Sequence, residues 1–228
     1  MIHDLKPYAE YKDSGVEWLG QVPAHWEVRR LKQWLRINLR VLPESTPSYF
    51  EFRYIDIGAV GTGRLLAAPQ QLRFGDAPSR ARRIIRSGDT IVSMVRTYLK
   101  AVYFVADEGP DLIASTGFAV LTPNEWTEPK YVSYLAQSDG FTNRVTAESI
   151  GIAYPAIAET RLASFEVAVP PLPEQTAIVR FLDYVDRRVG RVIRGRQRLV
   201  GLLEEYKQAL THQAVTGRID VRTGQPYP

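Results

Sequence analysis

Three histidines, 25 carboxylates and no cysteine are the raw material for catalysis in this 228-residue chain, and their spacing fits no common catalytic arrangement. His3, His25 and His212 form no HxxxH or HExxH pair, and without cysteine there is no thiolate nucleophile and no cysteine-based zinc site. Gly61-Thr62-Gly63 has neither a third glycine nor a following Lys-Ser/Thr, so it reads as a turn rather than a phosphate loop. A Gly-x-Ser-x-Gly elbow is missing, and the carboxylates are scattered. The chain therefore reads as non-catalytic, with no metal or cofactor of its own. Binding is the chemistry left.

Two basic zones carry that expectation. Between Arg73 and Lys100 lie seven basic residues (Arg73, Arg80, Arg82, Arg83, Arg86, Arg96 and Lys100) against Asp76 and Asp89. Arginine forks match phosphates and guanine edges, while hydroxyls such as those of Thr97 and Tyr98 reach phosphates. Arg73, Arg80, Arg82, Arg83, Arg96, Thr97, Tyr98 and Lys100 are accordingly candidate DNA-binding residues. The second zone, Arg187 to Arg198, holds six arginines in twelve residues with no acid among them. These could face DNA phosphates or acidic patches on a partner protein. A solvated basic face is the plain alternative for both zones.

The elements that must position these residues change character along the chain. Trp18, Trp26 and Trp34 lie in an opening segment broken by Gly15, Gly20 and Pro23, which reads as an extended, docked arm. Leu31, Trp34 and Leu35 then have the spacing of a short amphipathic helix over His25–Leu35, with Trp34 in the core. From Phe50 to Pro123, short runs alternate with turn residues. Arg53–Ile57, Arg83–Ile85, Thr90–Val95, Ala101–Val105 and Phe118–Leu121 are the expected strands, with breaks at Gly61–Gly63, Ser87–Asp89 and Glu108–Pro110. A helix is expected after Pro129 and a strand over Ser164–Val169, ending at Pro170-Pro171-Leu172-Pro173.

Beyond those prolines the pattern becomes regular. Ile178, Leu182, Val185, Val189, Val192, Arg196, Leu199, Leu203, Tyr206 and Leu210 are spaced alternately by four and three, a heptad seam in which only Arg196 is not apolar. A helix over Glu174 to about Val215 would run ~60 Å, with Gly217 at its stop. No other segment forms a helix of comparable length, so the seam is expected to pair with another molecule, the plain alternative being that it folds back on the globular domain. Gly190, Gly195 and Gly201 each cost about 1 kcal/mol within a helix, which close approach of a second helix would offset. Arg196 is placed to fix the register of that pairing.

The expected class is α+β: a mixed, largely antiparallel sheet domain with short helices over residues 1–173, a long coiled-coil helix over 174–216, and a tail over 217–228. Composition agrees with a globular protein, at 45% hydrophobic and 24% charged residues. No apolar run approaches the length of a membrane span, and the start lacks a leader pattern, which makes the cytoplasm the expected compartment. Net charge is +4. Residues 1–173 are balanced at 19 basic and 19 acidic, whereas 174–228 hold 10 basic and 6 acidic, so the surplus belongs to the long helix and the tail. Composition leaves open a coiled-coil scaffold that binds no specific DNA sequence.

Both ends of the chain carry a recognisable pattern. Tyr11-Lys12-Asp13-Ser14-Gly15-Val16-Glu17-Trp18-Leu19-Gly20-Gln21-Val22-Pro23-Ala24-His25-Trp26 resembles the opening of specificity subunits of type I restriction-modification enzymes. Val169-Pro170-Pro171-Leu172-Pro173-Glu174-Gln175-Thr176-Ala177-Ile178-Val179, Tyr206-Lys207-Gln208-Ala209-Leu210 and Ala214–Asp220 resemble that family's helical region. Gly88–Ser93 and Gly151-Ile152-Ala153-Tyr154-Pro155 resemble weaker markers of a target recognition domain, which adds Tyr154 to the candidate DNA-binding residues. The resemblance implies a non-catalytic subunit that chooses the DNA site. Separate methyltransferase subunits using S-adenosylmethionine, and a restriction/motor subunit, would then act there. Typical members have two recognition domains and two long helices, whereas this sequence has one of each. The resemblance therefore implies a half-length form that dimerises through antiparallel long helices and reads a palindromic, two-part site on double-stranded DNA.

Overall fold

The computed structural model describes residues 5–106, 109 and 111–223. His3, Glu108, Pro110 and the tail from residue 224 lie outside them. Contacts divide the chain into two units, residues 1–179 and 180–228.

The first unit opens with β1 (Tyr11–Asp13) and β2 (Gln21–Pro23), paired antiparallel. Gly15 (φ 70°) and Gly20 (φ 59°) take left-handed conformations between these strands. β3 (Glu27–Arg30) runs into α1 (Leu31–Trp34), followed by β4 (Arg36–Ile37), β5 (Glu51–Ile55), β6 (Gln70–Arg73), β7 (Ala81–Ile84) and β8 (Thr90–Ser93). Next come β9 (Val102–Phe104), β10 (Leu112–Ser115) and β11 (Phe118–Thr122), then the helices α2 (Pro129–Gln137), α3 (Asp139–Ala147) and α4 (Glu159–Ala163). β12 (Glu166–Val169) closes the series before α5 (Leu172–Val215).

Two four-stranded sheets dominate, ordered β6-β5-β10-β7 and β4-β11-β8-β9, and β12 pairs with β3 in a separate ribbon. All these pairings are antiparallel except β10 with β5. The architecture is the expected α+β class, with its mixed, mainly antiparallel strands arranged as two sheets.

Alternation along β8 and β11 explains the packing. Val92 and Ala119 face the helical layer, where Leu31, Trp34, Val132 and Phe141 meet them. Their neighbours Ile91 and Val120 face Ile55 and Ala114 of the other sheet. Both faces of these strands are covered, which is why they read as nearly unbroken apolar runs. The second sheet keeps a smaller cluster on its outer face, built on Phe52, Tyr54 and Ile113.

Several elements differ from the sequence reading. Glu27–Arg30, expected inside a helix, is a strand, because it pairs residue for residue with β12 from Val169↔Glu27 to Glu166↔Arg30. The helix that remains has four residues, yet Leu31, Trp34 and Leu35 are all buried as their spacing requires. The strands expected at Arg53–Ile57, Thr90–Val95 and Ala101–Val105 are shorter, because Ile57–Ala59 and Thr97–Leu99 are single 3-10 turns. The contact boundary falls at Val179 rather than at the prolines, since Gln175 and Val179 are buried and Ile178 packs on the main core. No helix among the described residues is long and apolar enough to cross a membrane.

Candidate nucleic-acid interface

The candidate site lies where β5, β8 and β10 end and β7 and β11 begin. Thr116, in the β10–β11 turn, donates its N–H to the Arg80 carbonyl (2.8 Å), and the next residue, Gly117, accepts from Met94 N–H (2.8 Å). Gly117 also approaches Val95 so closely that an added Cβ would sit 3.3 Å from its Cγ2. Met94 in turn accepts from Ile157 N–H (2.9 Å), and Val95 bridges Ala156. Four loops, distant in sequence, are thus hydrogen-bonded or packed into one edge.

The backbone of that edge is strained. Arg96 (φ 50°) and Lys100 (φ 48°) occupy the left-handed region on either side of the Thr97–Leu99 turn. This conformation is uncommon outside glycine, asparagine and aspartate and costs on the order of 1–3 kcal/mol per residue. Asn38 and Asp111, the other non-glycine examples among the described residues, are of the tolerant types. Thr97 holds the turn from inside. It is 2% exposed, its hydroxyl donates to Ser149 Oγ (2.8 Å), and its carbonyl accepts from the Thr146 hydroxyl. Thr97 therefore frames the loop instead of facing solvent, while Tyr98 is exposed.

Arg96 lies over the Tyr154 ring, 4.9 Å from its centroid, which holds a guanidinium at the surface with its polar edge free to bond elsewhere. Arg80 sits beside Asp56 (3.2 Å). The Tyr54 hydroxyl and the Asp56 carboxylate both raise the Arg80 pKa. Burial tends to raise the Asp56 pKa, but the Tyr54 hydroxyl, neighbouring backbone N–H groups and Arg80 together hold it below the usual carboxylate value. Lys100 reaches Asp139 at 3.4 Å, and its carbonyl accepts from the Thr62 hydroxyl (2.9 Å).

The structure thus brings together Arg80, Arg96, Tyr98, Lys100 and Tyr154. Other candidates lie elsewhere. Arg73 pairs with Glu51 at the opposite end of β5. Arg83 has a side chain only 15% exposed and is bound to Glu159 (3.1 Å). Arg82 is half-buried with its guanidinium over Phe74. An exposed arginine the sequence reading passed over, Arg64, sits beside the edge. Gly61–Arg64 closes a turn (2.9 Å) whose Gly63 N–H donates to Val102. Its signal was present in the Gly-Thr-Gly-Arg run, which reads as a bare turn.

Among the described residues no cluster of His, Cys, Asp or Glu could hold a metal ion. A family model, the type I restriction modification DNA specificity domain, matches residues 23–196. The chain belongs to this family. The curated type I restriction enzyme MjaVIII specificity subunit of Methanocaldococcus jannaschii is 22% identical over 93% of this chain and 51% of its own length. The crystal structure of the HsdS subunit from Thermoanaerobacter tengcongensis matches with a TM-score of 0.68 and 30% identity. It covers 91% of this chain, which spans 52% of the HsdS subunit. A chain from a structural study of complex assembly and conformational transition in a type I R-M system matches at a TM-score of 0.69 and 32% identity, over 91% of this chain and 52% of its own. The chain spans about half the length of the relatives it matches.

Two sequence markers of this specificity domain prove to be structural joints. In Gly88-Asp89, glycine takes φ 91° and the carboxylate is buried beneath it. Asp89 accepts from Arg40 (2.6 Å), Arg86 N–H (2.8 Å) and the Thr122 hydroxyl (2.7 Å). In Pro173-Glu174-Gln175, the buried Gln175 amide accepts from Glu128 N–H and donates to the Pro170 and Trp126 carbonyls, pinning the first turn of α5. Glu174 accepts from the Tyr8 hydroxyl and meets His25 Nε2 at 2.9 Å, which ties down the arm. Burial pushes the Tyr8 hydroxyl up to about 12, helped by Glu174. Burial also raises the Glu174 pKa, but bonds from Tyr8 and His25 outweigh that and lower it overall.

Proposed function

We propose that this chain is a non-catalytic DNA sequence-recognition subunit of a type I restriction-modification complex. It directs methyltransferase and restriction subunits to a two-part, palindromic site as a homodimer. The observation that carries the DNA reading is the strained edge at which Arg80, Arg96 and Lys100 gather with two exposed tyrosines. Strain held by surrounding bonds is characteristic of sites that must present a side chain in one orientation.

Pairing is supported by the seam of α5. Val189, Val192, Leu199, Leu203, Tyr206 and Leu210 are each between 39% and 63% exposed. Ile193, Val200 and Leu202 are exposed beside them, which makes the apolar stripe wider than a two-stranded coiled coil needs. That width supports a further helix from a methyltransferase subunit packed beside the second copy. At Gly195 and Gly201 an added Cβ would meet no atom within 4 Å, leaving room for close approach of a neighbouring backbone. S-adenosylmethionine is the methyl donor expected in the partner methyltransferase.

Equilibrium binding to a duplex carrying the methylated motif tests the assignment. Arg96→Ala lowers specific affinity by ~1–3 kcal/mol, the range for losing one base-contacting arginine. Arg73→Ala, at the far end of β5, changes it little. Equal losses from both variants would contradict the assignment, and indifference to both would favour a scaffold without sequence-specific binding.

A further inference from the structure

The loop between α3 and α4 presents large apolar side chains to solvent on a rigid support. Ile150 and Ala156 exchange both backbone hydrogen bonds (2.9 Å each), leaving a five-residue tip, Gly151–Pro155. Gly151 takes φ 115°, and an added Cβ there would stand 3.2 Å from the Tyr154 carbonyl oxygen, so the tip closes tightly on a residue without a side chain. Pro155 restricts Tyr154 to extended conformations. The base of the loop is fixed by the Val95 bridge to Ala156 and by the Thr97–Ser149 hydroxyl pair.

On this frame Ile152 is 103% exposed and Tyr154 67% exposed, with Ile150 also in solvent. Three large apolar residues at alternate positions are more than contact with one thymine methyl requires. A mobile tip would fold them back, whereas this tip is held open by its two hydrogen bonds, its glycine and its proline. Arg96 is stacked on Tyr154 at 4.9 Å, so a cation accompanies the apolar tip wherever it goes. Large apolar side chains on a rigid loop beside arginine are the equipment of proteins that enter a base step and unstack it, with the cation on the neighbouring phosphates.

We infer that Ile152, backed by Tyr154, is an apolar wedge that inserts between adjacent base pairs of the duplex this chain reads. This rests on the DNA-reading proposal. It adds that part of the specificity is indirect: a flexible pyrimidine–purine step opens more readily than a stiff one, so sequence is sensed where no hydrogen bond is made.

The test uses the full 228-residue chain without methyltransferase subunits, so that base extrusion by an enzyme cannot contribute. Duplexes bearing the methylated motif carry 2-aminopurine at successive positions, and its fluorescence reports unstacking. Binding raises the signal severalfold at one step in each half-site. Ile152→Ala abolishes that rise and weakens specific binding on the order of tenfold. It leaves the melting temperature unchanged, because the side chain touches nothing that holds the fold. Specific binding with no unstacked step, or a rise that persists in Ile152→Ala, overturns the wedge and leaves the DNA-reading proposal standing. Failure of the unaltered chain to prefer the motif over unrelated duplexes overturns both.

Discussion

Leu199→Glu combined with Leu203→Glu is expected to convert the proposed dimer, of twice 25.8 kDa, to a single chain of 25.8 kDa in sedimentation equilibrium. Both leucines lie on the heptad seam and are exposed along α5. Burying such a side chain contributes about 1.5–3 kcal/mol, and pairing two copies buries each one twice. A carboxylate there must instead be desolvated without a partner, which reverses the sign of the contribution. DNA binding follows the assembly. A dimer engages two half-sites at once, and losing the link between them lowers affinity by roughly 10²–10⁴ while leaving each recognition edge intact. The helix itself survives, since glutamate is a good helix former. Sedimentation and binding should therefore change together with circular dichroism nearly constant. A double variant that remains dimeric would place the second copy elsewhere.

Asp89→Ala has the largest expected effect on stability. Its carboxylate is 2% exposed and holds three donors: the Arg40 guanidinium, Arg86 N–H and the Thr122 hydroxyl. Alanine leaves the Arg40 cation without its partner in a half-buried position, along with two orphaned donors. Removing one side of such a pair costs about 3–5 kcal/mol, a large share of the 5–15 kcal/mol that stabilises a typical domain. Thermal unfolding should shift down by roughly 6–20 °C for a unit of this size. Asp89→Asn, which retains an acceptor, should recover part of the loss. A shift under a few degrees for alanine would mean that water satisfies Arg40 and that the motif has another role.

Elements whose signals are local were legible in the sequence, and those that depend on tertiary partners were not. The long helix was legible because its seam repeats over many turns without interruption by tertiary demands. β8 and β11 were legible because strands covered on both faces must be apolar throughout. β10 was missed: Leu112–Ser115 is short, follows Asp111 at a positive φ, and gains its strand identity only from β5 and β7 on either side. α3 begins with Asp-Gly and has few apolar residues, so it is stabilised by packing Phe141 and Val145 into the core rather than by propensity. Glu27–Arg30 resembled a helix because Leu31, Trp34 and Leu35 follow it, but pairing with β12 overrode that pattern.

The candidate interface was legible in residue type and hidden in arrangement. Arginine density between Arg73 and Lys100 marked a basic zone, yet the fold divides it. β5 separates Arg73 from Arg80, Glu159 claims Arg83, and Phe74 lies beneath Arg82. The turns that carry Arg64 and Ile152 join the edge through Gly63 N–H to Val102 and the Val95–Ala156 bridge, pairings between residues far apart in sequence that no local pattern encodes. Joints such as Gln175 looked like family punctuation, and their purpose emerges only from the three backbone groups they satisfy.

The proposed homodimeric reader is tested most directly by mapping methylated bases genome-wide in cells that express this chain as the sole specificity protein beside the methyltransferase subunits of the proposed complex. A dimer of one recognition domain predicts a motif of two identical, inverted half-sites separated by an unspecified spacer. That motif should vanish when the chain is removed. A motif with two unlike halves, or methylation that persists without this chain, would contradict recognition by a homodimer of this chain.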